Sequence, residues 1–496
     1  MRDGKVAGLR VSMRRLGLAA GLIAVLATGA VAGDKKDAPK ASVIENLQPY
    51  LDATGFVATY NTNGNIDTTG PFFQSLGTNG RSCSTCHVAS QAMSFSALGA
   101  QLRFIETRGT DPLFAAVDGA NCPTARTADP MARSLVLGSG LIRIPMTTPA
   151  TSQFSVSAAY DPYGCAIDTS TGSQSLSFYR RPLPTTNLRY LSAVMFDGRE
   201  SATYPLGTPA TFATNLNTDL TAQALHAVQQ HTQSVVDPTP AQLAAIVNLE
   251  MGFTTAQAYD FSAGLLQSNG AQGGPLVLAQ QAYYPGMNDS LTPPIFSPII
   301  FTLYSNWTTQ PGHSIESRAR EQIAAGELLF NSFPINIVNV RGINDNAALG
   351  KPAVVTGTCG TCHDAPNVGD HSLPLPLDIG TGHSPAYETD PQIKAALAEL
   401  SVPKLPVYQV TGCSDPFSGS TTIYTTDLGK AMLTGQCGDL NRVKGPILRG
   451  LAARAPYFHN GAAANLKQLV NFYNQRFAMG LTEQQKAQLV AFLNTL

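Results

Sequence analysis

The five-residue pattern Cys-x-x-Cys-His occurs twice in this chain of 496 residues. Two thiols at this spacing can add across the vinyl groups of a haem, and the histidine that follows can bind its iron. A zinc or redox site with an incidental histidine is the alternative, but no second Cys-x-x-Cys or His-x-x-x-His lies near either motif. The residues Cys83, Cys86, His87, Cys359, Cys362 and His363 therefore predict two covalently bound haem c groups and redox chemistry.

The first 32 residues predict export. A basic stretch precedes an apolar run from Leu16 to Ala32 that ends in Ala-Val-Ala. This is the pattern of a cleaved secretory signal peptide. A membrane anchor is the alternative, but the run is short and rich in Ala and Gly. We expect residues 1–32 to be removed, residues 33–45 to form a flexible tail, and the mature protein to be periplasmic without spanning the membrane.

Four cysteines lie outside the haem motifs: Cys122, Cys165, Cys413 and Cys437. An even number of remaining cysteines in an exported protein predicts disulfides. Four cysteines allow three pairings, and proximity in sequence favours Cys122–Cys165 and Cys413–Cys437.

The charge of the mature chain is mildly acidic. Residues 1–32 contain five of the 32 basic residues and one of the 33 acidic residues, so their loss leaves a formal net charge of −5. This balance argues against nucleic-acid binding. It is compatible with a small basic redox partner.

The distance between the two motifs predicts two haem domains, because each haem needs its own apolar pocket. We place them at residues 46–310 and 311–496, with the boundary in a turn-rich stretch at 308–312. Apolar spacing predicts helices at 219–233, 240–252, 254–267, 315–331, 390–399, 426–434, 464–475 and 481–495. The expected fold is mainly α, with two cytochrome c-like haem domains, long irregular loops and few short strands.

Three further segments resemble a known family. They are Leu448-Arg449-Gly450, Ala455-Pro456-Tyr457-Phe458-His459-Asn460-Gly461 and Phe196-Asp197-Gly198-Arg199. Their sequences and their order relative to the haem motifs resemble the bacterial di-haem cytochrome c peroxidase and MauG family over most of the mature chain. The resemblance implies that the N-terminal haem reacts with hydrogen peroxide and that the C-terminal haem handles electrons. It also implies a small periplasmic electron donor, such as a cytochrome c or a cupredoxin.

The resemblance implies that the sixth ligand of the second haem follows His459. Family peroxidases have a methionine there, whereas Tyr473 occupies the position fourteen residues after His459, and MauG has a tyrosine at the equivalent place. Met479 lies six residues later and could serve instead. Tyr473 also fits the apolar face of an amphipathic helix, so neither residue need be a ligand. His371 and Met432 are further candidates.

Over the first haem, the family has a glutamine and a glutamate in the region after the Asp-Gly-Arg element. Gln223 matches the glutamine, whereas Gln233 occupies the glutamate position and cannot act as a general base. His231 could compensate as a distal base or as a sixth ligand. Alternatively, His226 and His231 lie on the solvated face of a helix. The expected catalytic residues are His231, Gln223 and Gln233.

The resemblance also places other side chains near the haems. His459 lies close to the second haem in the family without binding iron, or is an ordinary core histidine here. Arg449, and Arg199 near the first haem, could each pair with a haem propionate or form a surface salt bridge. Phe196 replaces a common tryptophan and is much harder to oxidise. The family often holds calcium between the haems, partly through backbone carbonyls, so the resemblance allows Ca²⁺ as a further cofactor.

Three functions are compatible with these observations. The first is a peroxidase that reduces hydrogen peroxide at the N-terminal haem, with electrons relayed by the C-terminal haem. The second is a MauG-like or rubber-oxygenase-like enzyme that oxidises an organic or protein substrate. The third is a di-haem electron carrier in which neither iron is open to peroxide.

Overall fold

A computed structural model describes residues 43–201, 209–291 and 296–496. The expected signal peptide and residues 33–42 of the expected tail lie outside these ranges. Val43 and Ile44, which the expected tail includes, instead form a short strand that pairs with Ile66–Asp67. Residues 43–496 form one compact unit. Within the described ranges, no helix combines the length and apolar character needed to cross a membrane.

The described elements are helices and short strands. The helices are α1 (Cys83–Cys86), α2 (Ala97–Thr107), α3 (Ser134–Ser139), α4 (Pro209–His231), α5 (Pro240–Gly252), α6 (Pro275–Leu278), α7 (Ile315–Ser332), α8 (Pro391–Ala398), α9 (Ala431–Thr434), α10 (Leu466–Arg476) and α11 (Glu483–Leu493). The strands are β1 (Val43–Ile44), β2 (Pro49–Leu51), β3 (Gly55–Asn61), β4 (Ile66–Asp67), β5 (Ile142–Thr147), β6 (Ser155–Tyr160), β7 (Ile167–Asp168), β8 (Ser175–Arg180), β9 (Phe253–Asp260), β10 (Gly264–Leu265), β11 (Ile335–Ile337), β12 (Val355–Gly357), β13 (Val407–Thr411) and β14 (Thr422–Thr425).

The helix predicted at 254–267 is wrong, because strand β9 occupies the first half of this range. The strand lies in an antiparallel sheet of order β10-β9-β3-β2. Its buried residues include Thr254 and Thr255, whose branched side chains favour a strand. The Thr255 hydroxyl lies 2.8 Å from that of Thr59 on β3. Since both faces of the strand's first half are buried, it lacks the alternation that would have distinguished it from a helix.

The other predicted helices differ in accuracy. Helix α5 has the predicted bounds of 240–252, and its Thr239 side chain accepts a hydrogen bond from the Gln242 amide in a capping box. The prediction at 426–434 is wrong over its first five residues. Only Ala431–Thr434 is helical there, and Asp427 is instead buried in an ion pair with Arg180.

Strand pairing connects the two halves of the chain. Strand β6 lies before residue 310, yet it pairs with β13, which lies after it, in a sheet of order β14-β13-β6. Tyr408 on β13 also donates from its hydroxyl to the Ser177 carbonyl at 2.6 Å. The two halves therefore share a sheet, and separate domains divided at residue 310 stay a prediction.

Helices α7 and α11 form the framework behind the second motif. Phe330 on α7 and Phe492 on α11 pack edge to face at 5.8 Å, and the Phe330 ring lies 6.2 Å from the His363 ring. The helices approach closely at Gly326, where a Cβ atom would lie 2.0 Å from the Gln488 carbonyl oxygen. A larger residue at 326 would therefore separate the helices.

Both predicted disulfides are confirmed. Cys122 bonds to Cys165, and Cys413 bonds to Cys437. The four motif cysteines, in contrast, are free thiols. This division matches the use of two cysteine pairs for covalent cross-links and two pairs for cofactor attachment.

Candidate haem sites

The two Cys-x-x-Cys-His motifs adopt the same local structure. In the first, the Thr85 hydroxyl accepts a hydrogen bond from the Ser82 amide at 3.0 Å. In the second, the Thr361 hydroxyl accepts one from the Thr358 amide at 2.9 Å. These capping boxes start a short helical turn that carries both thiols on its surface. The turn thus places two thiols and the following histidine together at each site.

Each motif histidine is oriented by a backbone carbonyl six residues further along the chain. His87 Nδ1 lies 3.1 Å from the Met93 oxygen, and His363 Nδ1 lies 2.6 Å from the Gly369 oxygen. Because a carbonyl only accepts, Nδ1 carries the proton and Nε2 is left with its lone pair. Burial lowers the pKa of His87 to about 4 and also lowers that of His363. Both rings are therefore neutral and suited to binding a metal ion.

A mostly apolar cavity lies beside the second motif. Cys359, Cys362 and His363 all lie on its wall. Its apolar lining includes Leu375, Leu377, Ile379, Val470, Phe477 and Leu489. Two thiols, a neutral imidazole and an apolar chamber in one place fit a covalently attached haem.

Tyr473 and Met479 both line this cavity, as does His371. Burial raises the pKa of the Tyr473 phenol, which keeps it protonated unless a cation such as ferric iron replaces the proton. Met432 instead packs in a separate cluster around Phe178 and Tyr408. The cavity therefore brings both leading sixth-ligand candidates to the second motif and leaves the choice between them open.

His459 is buried on the wall of the same cavity. Its ring lies 6.1 Å from that of Phe196, which also lines the cavity. Its Nε2 has no hydrogen-bond partner and lies 3.8 Å from Asp427. Burial lowers the pKa of His459 to about 4, so the ring is neutral. The position of His459 agrees with a histidine near the second haem. Because its Nε2 has no hydrogen-bond partner, His459 is not a core histidine whose polar atoms are all satisfied.

Arg449 and Arg454 have buried guanidinium nitrogens without hydrogen-bond partners, which suits a haem propionate. Arg449 is 2% exposed, and its Nε and Nη1 atoms have no hydrogen-bond partner. Burial lowers its pKa to about 10, which leaves it cationic at neutral pH. A surface salt bridge is therefore not its role. Arg454, which our sequence analysis did not single out, lines the cavity with an unpartnered Nε. Arg199, in contrast, pairs with Asp197 at 3.0 Å.

The first motif lies beside a buried chain of charged groups. Arg81, two residues before Cys83, forms a salt bridge with Asp118. Asp118 also accepts a hydrogen bond from His231 Nδ1 at 2.5 Å. Although burial opposes it, Arg81 and His231 lower the pKa of Asp118 and keep it ionised. The carboxylate thus fixes the His231 tautomer, and the imidazole retains Nε2 for a proton or for iron.

The charged groups Arg81, Asp118 and His231 lie close enough to the haem attachment point to change the pKa values of its side chains. His231 is near enough to contribute to the lowered pKa of His87. Burial raises the pKa of the Cys86 thiol to about 11, and both Arg81 and Asp118 also influence it. His231 is about one-third exposed, so its ring reaches solvent. The structure thus brings His231 to the first motif. His231 does not lie on a fully solvated helix face.

Glu250 is a carboxyl group near the first motif that our sequence analysis missed. It is 3% exposed on α5, and its Oε2 atom has no hydrogen-bond partner. Burial raises its pKa to about 8, and it is close enough to raise the pKa of the Cys83 thiol. Because Glu250 lies 17 residues after Gln233, only the packing of α5 could reveal it. A buried acid of this kind can hold or donate a proton near neutral pH.

The remaining candidates of the first site are less enclosed. Gln233 is exposed, and its Oε1 atom accepts a hydrogen bond from Asn79 at 3.4 Å. Gln223 is half-buried on α4. His226 is exposed and lies 2.9 Å from Glu200, as expected for a histidine on a solvated face. The catalytic roles of Gln223 and Gln233 stay predictions.

Comparison with known proteins supports the haem interpretation. No family model matches the chain. The chain is similar to curated cytochrome-c peroxidases. It is 31% identical over 147 residues to cytochrome-c peroxidase IdrP2 of Denitromonas iodatirespirans, which covers 28% of this chain and 36% of that protein. It is 27% identical over 149 residues to cytochrome-c peroxidase IdrP1 of the same organism and 26% identical over 157 residues to IdrP1 of Pseudomonas sp. (strain SCT), with the same coverage.

These similarities support a cytochrome c peroxidase-like family, an oxidoreductase and haem c as cofactor. The chain spans only about a third of the length of these curated relatives.

Proposed function

We propose that this protein is an exported di-haem c-type cytochrome of the periplasm that reduces hydrogen peroxide. The reaction at the first haem would consume H₂O₂, two electrons and two protons and would release two waters. Electrons would come from a small periplasmic cytochrome c or cupredoxin and pass through the second haem. The observation that carries the proposal is the buried acid–base environment at the first motif, which a simple electron carrier does not need.

The first site has separate groups for holding and delivering protons. His231 has a free Nε2 lone pair, because Asp118 accepts from its Nδ1. Glu250 is protonated below about pH 8 and has an unpartnered oxygen in a buried position. When bound, the haem would supply an iron that binds and reduces peroxide. We assign proton acceptance to His231 and proton donation to Glu250.

The second site suits a haem with a filled sixth position. Tyr473 and Met479 both line its cavity, and either could be the ligand. Strong ligands on both sides of the iron favour electron transfer over peroxide binding. Arg454 lines this cavity with an unpartnered Nε, so it offers positive charge to a propionate. This contrast between the sites supports the division of labour that we propose.

A MauG-like oxidation of an organic or protein substrate is the second candidate. Tyr473 favours it, since a tyrosine at this position resembles MauG, and phenolate ligation stabilises the ferric state. The two candidates differ in their use of electrons. A peroxidase would consume peroxide only with a reduced donor, whereas a MauG-like enzyme would react with peroxide in its oxidised form and hold the oxidising equivalents.

Steady-state assays with purified holoprotein test the proposal. We expect peroxide-dependent oxidation of a reduced cytochrome c or cupredoxin, with two donors oxidised per peroxide. His87→Ala should abolish turnover while the second haem stays attached. Turnover that survives this substitution would contradict the role assigned to the first haem.

A further inference from the structure

A compact group of potential metal ligands lies next to the second motif. One donor atom each from Asp289, Asp364 and His371 lies within 4.8 Å of the other two. All three side chains are buried, with exposures of 4%, 0% and 2%. Asp364 directly follows the motif histidine, and His371 ends the same loop. The three donor atoms are therefore close enough for a single ion to contact all of them.

The His371 imidazole lies beside the Asp364 carboxylate, but neither of its ring nitrogens has a hydrogen-bond partner. Its Nδ1 lies 3.1 Å from an Asp364 oxygen, yet neither ring nitrogen makes a hydrogen bond of acceptable geometry. Leaving a buried polar atom unpaired costs about 1–3 kcal/mol. A metal ion between the imidazole and the two carboxylates would give the His371 ring the partner that it lacks.

The charges around the group also favour a cation. Asp370 is fully buried, and neither of its carboxylate oxygens has a hydrogen-bond partner. The nearby cation is Lys444, whose Nζ donates to the Ala193 carbonyl at 2.7 Å. A third buried carboxyl group thus lies beside the two of the site. Carboxylates in a buried position are normally paired or bound to metal, which favours a cation between Asp289 and Asp364.

We propose that Asp289, Asp364 and His371 bind a divalent transition-metal ion such as Zn²⁺. Imidazole suits Zn²⁺ and related ions, whereas Ca²⁺ prefers six to eight oxygen ligands. The site is also distinct from the calcium that the family resemblance allows, because its donors are side chains. It does not depend on the proposed peroxide chemistry, and His371 connects it to the wall of the second haem cavity.

Metal analysis of the haem-loaded full chain tests this proposal. The protein would be stripped with EDTA and titrated with Zn²⁺, with bound metal counted by mass spectrometry alongside iron. We expect one zinc per two irons and a rise in melting temperature on binding. Asp289→Asn and His371→Gln should each weaken zinc binding at least tenfold, and Asp168→Asn, which changes an exposed carboxylate, should leave it unchanged.

Three results would overturn the proposal. One is a wild-type protein that takes up no stoichiometric zinc, which is decisive even if the variants fold poorly. Another is Ca²⁺ that competes with Zn²⁺ at equal affinity, since this would contradict the assigned ion class. The third is a His371→Gln variant that binds zinc normally while the second haem becomes high-spin, because His371 would then be an iron ligand.

Discussion

The His231 imidazole donates from Nδ1 to Asp118 Oδ2 over 2.5 Å, and Asp118 also pairs with Arg81 next to the first haem motif. This arrangement links a solvent-accessible histidine to a buried carboxylate beside Cys86. It resembles the orientation of a general base by an acid partner, in which the carboxylate sets the tautomer.

Replacing His231 with alanine should lower peroxide turnover without releasing either haem. General acid–base groups contribute about 10²–10⁴ in rate, so we expect kcat to fall by at least about 10²-fold. His226→Ala on the same helix is the matched control, because His226 is exposed and pairs with Glu200 at the surface. Equal effects of the two substitutions, or none from His231→Ala, would refute the assignment.

The buried Glu250 should control the alkaline limb of the activity profile. Burial raises its pKa to about 8, so the carboxyl is protonated at neutral pH and can donate a proton. We expect peroxide turnover of the wild type to fall as the pH rises through about 8. Glu250→Gln should lower turnover and remove this limb. A Glu250→Gln variant with the wild-type pH profile would show that another group titrates there.

Glu250→Gln should lower turnover but raise the stability of the folded protein at alkaline pH. The pKa of Glu250 is about 8 in the folded state and about 4.5 in the unfolded state. The unfolded chain therefore releases this proton first, and the free energy of unfolding falls as the pH rises from about 5 to 8. Each pKa unit corresponds to about 1.4 kcal/mol. Glu250→Gln should remove this decline and melt at a higher temperature than the wild type at pH 8.

The sixth ligand of the second haem can be identified by paired substitutions. If Tyr473 binds the iron, Tyr473→Phe should remove the ligand and convert the second haem from low-spin to high-spin. Met479→Leu should then leave the spectrum unchanged; the reverse result would assign Met479. Both side chains line the cavity, so each substitution retains most of its packing. Spectra unaffected by either change would exclude both residues as ligands.

The two disulfides should stabilise the chain independently of the haems. They close loops of 43 and 24 residues. On the loop-entropy model, these correspond to about 4 and about 3 kcal/mol of stability. Cys413→Ser with Cys437→Ser should therefore lower the free energy of unfolding by about 3 kcal/mol, with unchanged haem content and peroxide turnover. Loss of haem in this double variant would indicate a role in positioning the second site.

Sequence reasoning succeeded where local pattern determines local structure. Helix α5 and both disulfides depend on residues close in sequence or on a small number of possible pairings. The same reasoning failed for β9, because Thr254 and Thr255 are buried by a strand that lies almost 200 residues earlier.

The acid–base residues of the first site needed the tertiary structure. Asp118 and Glu250 carry no local motif, and only the packing of distant segments places them beside Cys86 and Cys83. Arg449 could be predicted as a functional cation from its segment, whereas its burial without a partner could not. Long-range burial, rather than residue type, thus separates the functional candidates from ordinary polar residues.

Optical titration of the holoprotein with hydrogen peroxide is the most direct test of the central claim. It would be done in the fully oxidised and half-reduced forms, with His87→Ala alongside. We predict rapid loss of high-spin ferric bands and catalytic decay of peroxide in the presence of a reduced donor, both absent in His87→Ala. Low-spin spectra that peroxide leaves unchanged in both forms would contradict the account and indicate a di-haem electron carrier.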